Sequence, residues 1–291
     1  MWIQAHITVP KSEAEAVEAL LEELGALSVT LADAADEPMF EPPLGTTPLW
    51  HATRVTGLFP GETDLDSLRS KIDQALASSS VEVQIETLED RDWERAWLER
   101  FRPMRFGRRL WVCPSGTSPD QPDAVVVQLD PGLAFGTGTH PTTALCLEWL
   151  DGADLEGRRV VDFGCGSGIL AVAAARLGAA RVTAVDHDPQ ALLATSANAR
   201  NNGVETLVDI RGSGQAAPEP AEVVVANILA NVLVELAPRL GATVAPSGTL
   251  VLSGVLAGQA EEVMAAYAAT FDFEAPAHRE GWVRLCGRRL A

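Results

Sequence analysis

The residues with the most chemical content form one run, Val160-Val161-Asp162-Phe163-Gly164-Cys165-Gly166-Ser167-Gly168. An apolar stretch that reads as a strand enters a glycine-rich turn, and the turn opens a helix. Glycines permit a sharp turn and let a ligand approach where a Cβ would otherwise stand. Ligands of doubly wound sheets sit at the C-terminal ends of the strands, which is where this turn falls. The chemistry it suits is cofactor binding. A dinucleotide fingerprint requires Gly-x-Gly-x-x-Gly. Here Gly164, Gly166 and Gly168 alternate and Ile169 follows, so the spacing is wrong for that class. The next apolar run, Val182-Thr183-Ala184-Val185, ends at Asp186, 22 residues beyond Gly164. A carboxylate there can accept hydrogen bonds from both hydroxyls of a ribose, as the equivalent acid does in NAD enzymes. The alternative is a helix cap before Pro189, in competition with Asp188. A third run, Val223-Val224-Val225-Ala226, ends at Asn227, whose amide can both accept and donate. Asn227 is also a good N-cap for the helix that follows, and the two roles are compatible.

The glycine loop resembles that of class I methyltransferases, in which an acid, here Asp162, precedes Gly-x-Gly-x-Gly. The resemblance implies S-adenosylmethionine as cofactor. That molecule has no pyrophosphate, so the turn fits around its methionine and ribose, and the strand tip at Asn227 borders its methyl group. His187 then lies near the adenine or is simply exposed. The most unusual segment precedes this region: Leu129-Asp130-Pro131-Gly132-Leu133-Ala134-Phe135-Gly136-Thr137-Gly138-Thr139-His140-Pro141-Thr142-Thr143. Pro141 suits a first helical turn. Amides and hydroxyls at a helix start favour an anion. The methionine carboxylate is the candidate, with Thr143 as one donor and Phe135 as a cover over the cofactor. Gly136 and Gly138 would let the loop move as a lid. An ordinary capped linker is the alternative. His140 suits either proton transfer or a structural hydrogen bond.

Periodicity outlines the elements that must position these residues. Residues 2–9 alternate as a strand, and 12–24 carry a helical stripe with Ser12 as N-cap and Gly25 as stop. A strand follows near 27–32, then a Pro- and acid-rich loop from Asp33 to Pro48, a strand near 50–58, a helix at 64–76 and a strand near 81–88. Strand, helix, strand, strand, helix, strand is the ferredoxin-like split unit. Trp93, Trp97 and Phe101 share one face of a connecting helix. From about 141, helices and strands alternate, which predicts a mostly parallel sheet covered on both faces and closed by a late antiparallel pair. The expected fold is α/β, a doubly wound Rossmann-like sheet of the class I methyltransferase type with an N-terminal ferredoxin-like α+β domain. The expected divisions are 1–89, a connector helix and linker over 90–122, and the cofactor domain over 123–291.

Composition narrows the partners. The 291 residues carry 22 Lys plus Arg against 40 Asp plus Glu, a net charge of -18. Such a surface repels phosphate backbones and suits a basic partner. Direct nucleic-acid binding is not expected. Cys113, Cys146, Cys165 and Cys286 form no paired zinc-ligand motif, and the five histidines are scattered, so no metal is expected. There is no apolar run of about 18 residues or more, and the start lacks the pattern of a secretion signal. A cytoplasmic monomer is the expectation.

Three segments together are narrower than the glycine loop alone. The run Leu129 to Thr143, the loop Asp162 to Gly168, and Asn227-Ile228-Leu229-Ala230 resemble the bacterial ribosomal protein L-eleven methyltransferases. Trp93 to Pro103 and Gly107 to Pro114 resemble that family's connector. The likeness covers essentially the whole chain and is weakest in the N-terminal module. It implies cofactor contacts at Thr143, Gly164, Asp186 and Asn227, beside Asp162, Gly166 and Phe135 from the residue reading, with Asn227 as the catalytic candidate. It also implies methyl transfer to the α-amine and lysine side chains of one basic ribosomal protein, recognised by the N-terminal domain. A methyltransferase for another protein or a small molecule is the first alternative. An NAD-dependent oxidoreductase and a non-catalytic cofactor-binding protein are more distant ones.

Overall fold

The computed structural model describes residues 1–35, 49–76, 81–88, 102–129 and 138–290. The chain divides into two compact units, Met1–Ala96 and Trp97–Ala291.

The first unit contains β1 (Trp2–Pro10), α1 (Lys11–Glu23), β2 (Ser28–Asp33), β3 (Ala52–Pro60), α2 (Leu65–Ala75) and β4 (Glu82–Leu88). The strands form one antiparallel sheet in the order β2-β3-β1-β4, the connectivity of a split βαβ unit. Alternation places Ile3, Ala5, Ile7 and Val9 of β1 in the core, where Val17 and Leu21 of α1 and Leu68 and Ile72 of α2 meet them. Helix α1 starts one residue before the Ser12 expected as its cap; Pro10 holds the cap position, with no side-chain hydrogen bond. Gly25, at φ +95°, ends it as expected, its neighbour Ala26 donating back to Leu21 O.

The second unit opens with β5 (Met104–Phe106), β6 (Leu110–Cys113) and β7 (Val125–Gln128), which form a three-stranded sheet. The sequence reading treated 102–122 as linker. The difference lies in a buried carboxylate forty residues on, at the end of α3 (Pro141–Gly152). Asp151 accepts from the amides of Arg108 (2.5 Å), Arg109 (3.3 Å) and Leu110 (3.0 Å), and so fixes the turn between β5 and β6. The expected helix around Trp93, Trp97 and Phe101 lies outside the described residues.

The main sheet is built from β8 (Arg159–Phe163), β9 (Arg181–Asp186), β10 (Val208–Gly212), β11 (Ala221–Asn227), β12 (Val244–Leu256), β13 (Phe271–Phe273), β14 (Ala277–Arg279) and β15 (Trp282–Arg289). Its order is β10-β9-β8-β11-β12-β15-β13, with β14 paired to β15. The first five strands are parallel, and β15 is antiparallel to its neighbours. The linking helices are α4 (Ile169–Arg176), α5 (Pro189–Asn201), α6 (Ala230–Glu235), α7 (Ala237–Thr243) and α8 (Ala260–Tyr267). Near-continuous apolar runs such as Val223-Val224-Val225-Ala226 are buried throughout, as parallel strands covered on both faces require. Successive residues feed opposite faces. Val160, Val182 and Val225 pack with Leu147, Leu150 and Val172, while Val161, Val185 and Val224 pack with Leu233, Leu240 and Val263.

One helix expected over 230–240 is two. The chain breaks at Leu236, between α6 and α7, because the proline of Ala237-Pro238 has no amide to continue the ladder. Strand β14 is too short to show a period. Among the described residues, no helix is long and apolar enough to cross a membrane.

Candidate active site

The strand order reverses at β8, which has β9 on one side and β11 on the other. Such a switch point opens a crevice at the C-terminal ends of the strands. The glycine turn, Asp186 and Asn227 leave the sheet there, at the ends of β8, β9 and β11.

The turn needs its glycines. Gly164, Gly166 and Gly168 have φ of +76°, +54° and +76°, values that L side chains rarely adopt. A Cβ on Gly164 would also lie 2.2 Å from Ile228 Cγ2. The glycine pattern therefore serves the chain's own packing. Asp162 is buried beneath the turn. Its Oδ2 accepts from the Ala171 amide at 3.0 Å, supplying the first turn of α4 with the cap that Gly168 cannot give. Its Oδ1 has no hydrogen-bond partner among the described residues. Burial pushes the Asp162 carboxyl up to about 7; the Ala171 amide opposes this and the charge of Asp186 adds to it.

Asp186 is 8% exposed at the tip of β9. Its Oδ2 accepts from the Gly166 amide at 2.9 Å, and its Oδ1 from the amides of His187 (2.7 Å) and Asp188 (3.0 Å). The cap of α5 belongs to Asp188, which accepts from the Gln190 amide at 2.8 Å. The competition foreseen between the two acids is thus resolved: Asp188 caps, and Asp186 ties its own strand to the glycine turn. A carboxylate has about four lone-pair directions. Three amides hold three of them, so one hydroxyl fits without displacing an amide. A second hydroxyl must share a direction or displace the Gly166 amide.

Asn227 and Thr143 meet, with Asn227 Nδ2 donating to Thr143 Oγ1 at 3.2 Å. Thr143 is 1% exposed in the first turn of α3. Asn227 does not cap α6; Leu229 holds that position, without a side-chain bond. The residue between, Ile228, is wedged inward. A Cβ on Gly254 would stand 2.3 Å from its carbonyl oxygen, as one on Gly164 would meet its side chain. Ile228 therefore locks the tip of β11 against β8 and β12 and sets where the Asn227 amide stands.

His140 is the N-cap of α3, its Nδ1 2.7 Å from Thr142 Oγ1 and 3.4 Å from the Thr142 amide. Its ring meets Trp282 edge-on, with centroids 4.9 Å apart. Burial lowers its pKa, against an opposing effect of Glu280. Phe135 lies outside the described residues.

Likeness to known proteins matches this geometry. The family model for ribosomal protein L11 methyltransferase matches residues 1–290. The chain belongs to the ribosomal protein L11 methyltransferase family. A ribosomal protein L11 methyltransferase of Pseudomonas aeruginosa is 54% identical over 291 residues, covering 100% of this chain and 99% of that protein. One of Methylococcus capsulatus is 55% identical, with 99% of each chain covered. Among solved structures, a ribosomal protein L11 methylase of Lactobacillus delbrueckii subsp. bulgaricus aligns with a TM-score of 0.59 at 31% identity. It covers 66% of this chain and 100% of its own.

Within this family member, some residues that build the site carried no motif. Thr195 and Asn198 of α5 bond the carbonyls of the glycine turn. Asn202 pairs with both backbone groups of Gln128, donating to its carbonyl at 2.8 Å and accepting from its amide at 2.7 Å, where β7 ends. Their sequence signal is faint but physical. Ala191, Thr195 and Ala199 are small, buried and spaced by four, which lets a helix approach closely; Asn198 and Asn202 share that spacing.

Proposed function

We propose that this chain transfers methyl groups from S-adenosylmethionine to the α-amine and lysine ε-amines of ribosomal protein L11. The observation that carries the reading is one crevice joining an acid-flanked glycine turn to the Asn227–Thr143 pair. Asp162 and Asp186 stand close enough for the charge of one to raise the pKa of the other. A pyrophosphate there would be repelled by the Asp186 carboxylate. A sulfonium with an ammonium group meets complementary charge in the Asp186 carboxylate at the tip of β9. On this reading Asp186 accepts from the ribose. Gly164 and Gly166 line the turn, Thr143 serves the methionine end, and Phe135 covers the site.

Bound there, S-adenosylmethionine supplies an electrophilic methyl group. The acceptor amine must be neutral to take it. At pH 7 that costs about 1.4 kcal/mol for an α-amine of pKa ~8 and about 4.6 kcal/mol for a lysine of pKa ~10.4. A dry crevice lowers both by disfavouring the charged form. Asn227, held by Thr143, offers its amide oxygen to an amine N–H and so orients the lone pair. Positioning of the two reactants carries the catalysis; among the described residues of the crevice, no side chain is placed as a dedicated base.

The first unit serves as the recognition domain for the ribosomal protein, as the family resemblance implies. The strongly negative chain attracts a basic substrate. Incubation with methyl-labelled S-adenosylmethionine and purified L11 tests the reading. Label in L11 that depends on Asp186 is expected, and no label in the presence of demonstrated cofactor binding would reject L11 as acceptor.

A further inference from the structure

We propose that Thr195 and Asn198 of α5 are positioning residues for the cofactor, holding the glycine turn in the conformation that receives it. The inference rests on the crevice being the S-adenosylmethionine site. Thr195 is fully buried, and its hydroxyl donates to Gly166 O at 3.0 Å. Cys165 Sγ lies 3.3 Å from the same Oγ1. Asn198 Nδ2 donates to Ser167 O at 2.8 Å. Two successive carbonyls of the turn are thereby drawn to one helix. In a trans peptide the N–H points opposite its carbonyl. Fixing Gly166 O and Ser167 O on α5 therefore turns the amides of the same two peptide groups away from that helix.

The anchoring is tight. A Cβ on Gly168 would lie 2.7 Å from Thr195 Cγ2 and 3.0 Å from its Cα, so helix and turn are in backbone contact. The third tie, Gly166 N–H to Asp186 Oδ2, comes from the residue that leads into the same helix. Asp186, Thr195 and Asn198 are thus one short stretch of chain, and it sets both the ribose acceptor and the shape of the turn. Without the two side-chain bonds the three glycines are free to sample the other conformations open to them.

Calorimetric titration of the full chain with S-adenosylmethionine tests this, with thermal melting alongside. Thr195→Val keeps the shape and removes the donor; it is expected to raise Kd by about fivefold to tenfold, the worth of one hydrogen bond. Thr195→Ser restores the donor and returns Kd to within about twofold of wild type. In turnover the Thr195→Val loss falls on KM for S-adenosylmethionine rather than on kcat. Asn198→Leu, at a half-buried position, gives a second reading of Kd if Thr195→Val folds poorly. Valine and leucine variants that melt lower but bind with wild-type affinity would overturn the inference alone. Wild-type protein that does not bind S-adenosylmethionine would overturn the cofactor assignment together with it.

Discussion

Burial puts the Asp162 carboxyl in an unusual state, its pKa raised to about 7 from an ordinary value of 3.8. The unfolded chain holds this proton only below its lower pKa, and the folded chain holds it up to about 7. Between those values the folded state binds more protons, so stability falls as pH rises through that window and stays lowered above it. Asp162→Asn keeps an acceptor for the Ala171 amide and removes the charge. Its melting temperature relative to wild type should therefore be higher at pH 8 than at pH 5; an equal difference at both would show that Asp162 is not held near neutrality.

Asn227→Ala removes the amide that is proposed to orient the acceptor amine. It should lower kcat by about tenfold or more, with the affinity for S-adenosylmethionine changing little, because a positioning hydrogen bond is lost and a binding one is not. Unchanged turnover would displace Asn227 from the reaction. At this scale Asp162, Gly164, Gly166 and Asp186 were legible because they share one chain segment or one strand tip. The Asn227–Thr143 bond, between residues 84 apart, was not legible as a contact. Neither were Thr195 and Asn198, whose meaning depends on which side of α5 the turn occupies.

Helix α5 carries Thr195 and Asn198, which bond the carbonyls of the glycine turn. Asp188 caps it, and Asp188→Ala should cost about 1 kcal/mol of stability, measured by denaturant unfolding. The same change in Asp33, which accepts from the Ala35 amide at a strand end, caps no helix and should cost less. Asp151 tests the other support. Its removal leaves three amides of the β5–β6 turn without their acceptor, at about 3 kcal/mol, or a melting temperature lower by roughly 6–12 °C. A melting temperature within a degree of wild type would mean that water replaces the carboxylate at no cost.

The alternating helices and strands of the second unit were legible from period alone, since each parallel strand is a buried apolar run closed by a turn residue. What period did not reveal is local. Strands β5, β6 and β14 have three or four residues each, at most two full alternations. The Leu236 break depends on a single proline. The β5–β6 turn depends on Asp151, distant in sequence.

For the whole molecule, the net charge of -18 makes a kinetic claim. If the substrate is basic, the rate of methylation at low substrate should fall several-fold as ionic strength rises from about 0.05 M to about 0.5 M, because screening shortens the reach of the field. A salt-independent rate would detach the acidic surface from recognition. A chain lacking residues 1–89 should keep cofactor binding and lose action on the ribosomal protein; full activity without them would reject recognition by the first unit. The most direct measurement is the intact mass of ribosomal protein L11 after incubation with this protein and S-adenosylmethionine, followed by mapping of the modified residues. The account predicts mass gains in whole methyl steps, located on the α-amine and on lysines and appearing about tenfold more slowly or slower still with Asn227→Ala. An unchanged mass, with S-adenosylmethionine binding shown separately on the same preparation, would contradict it.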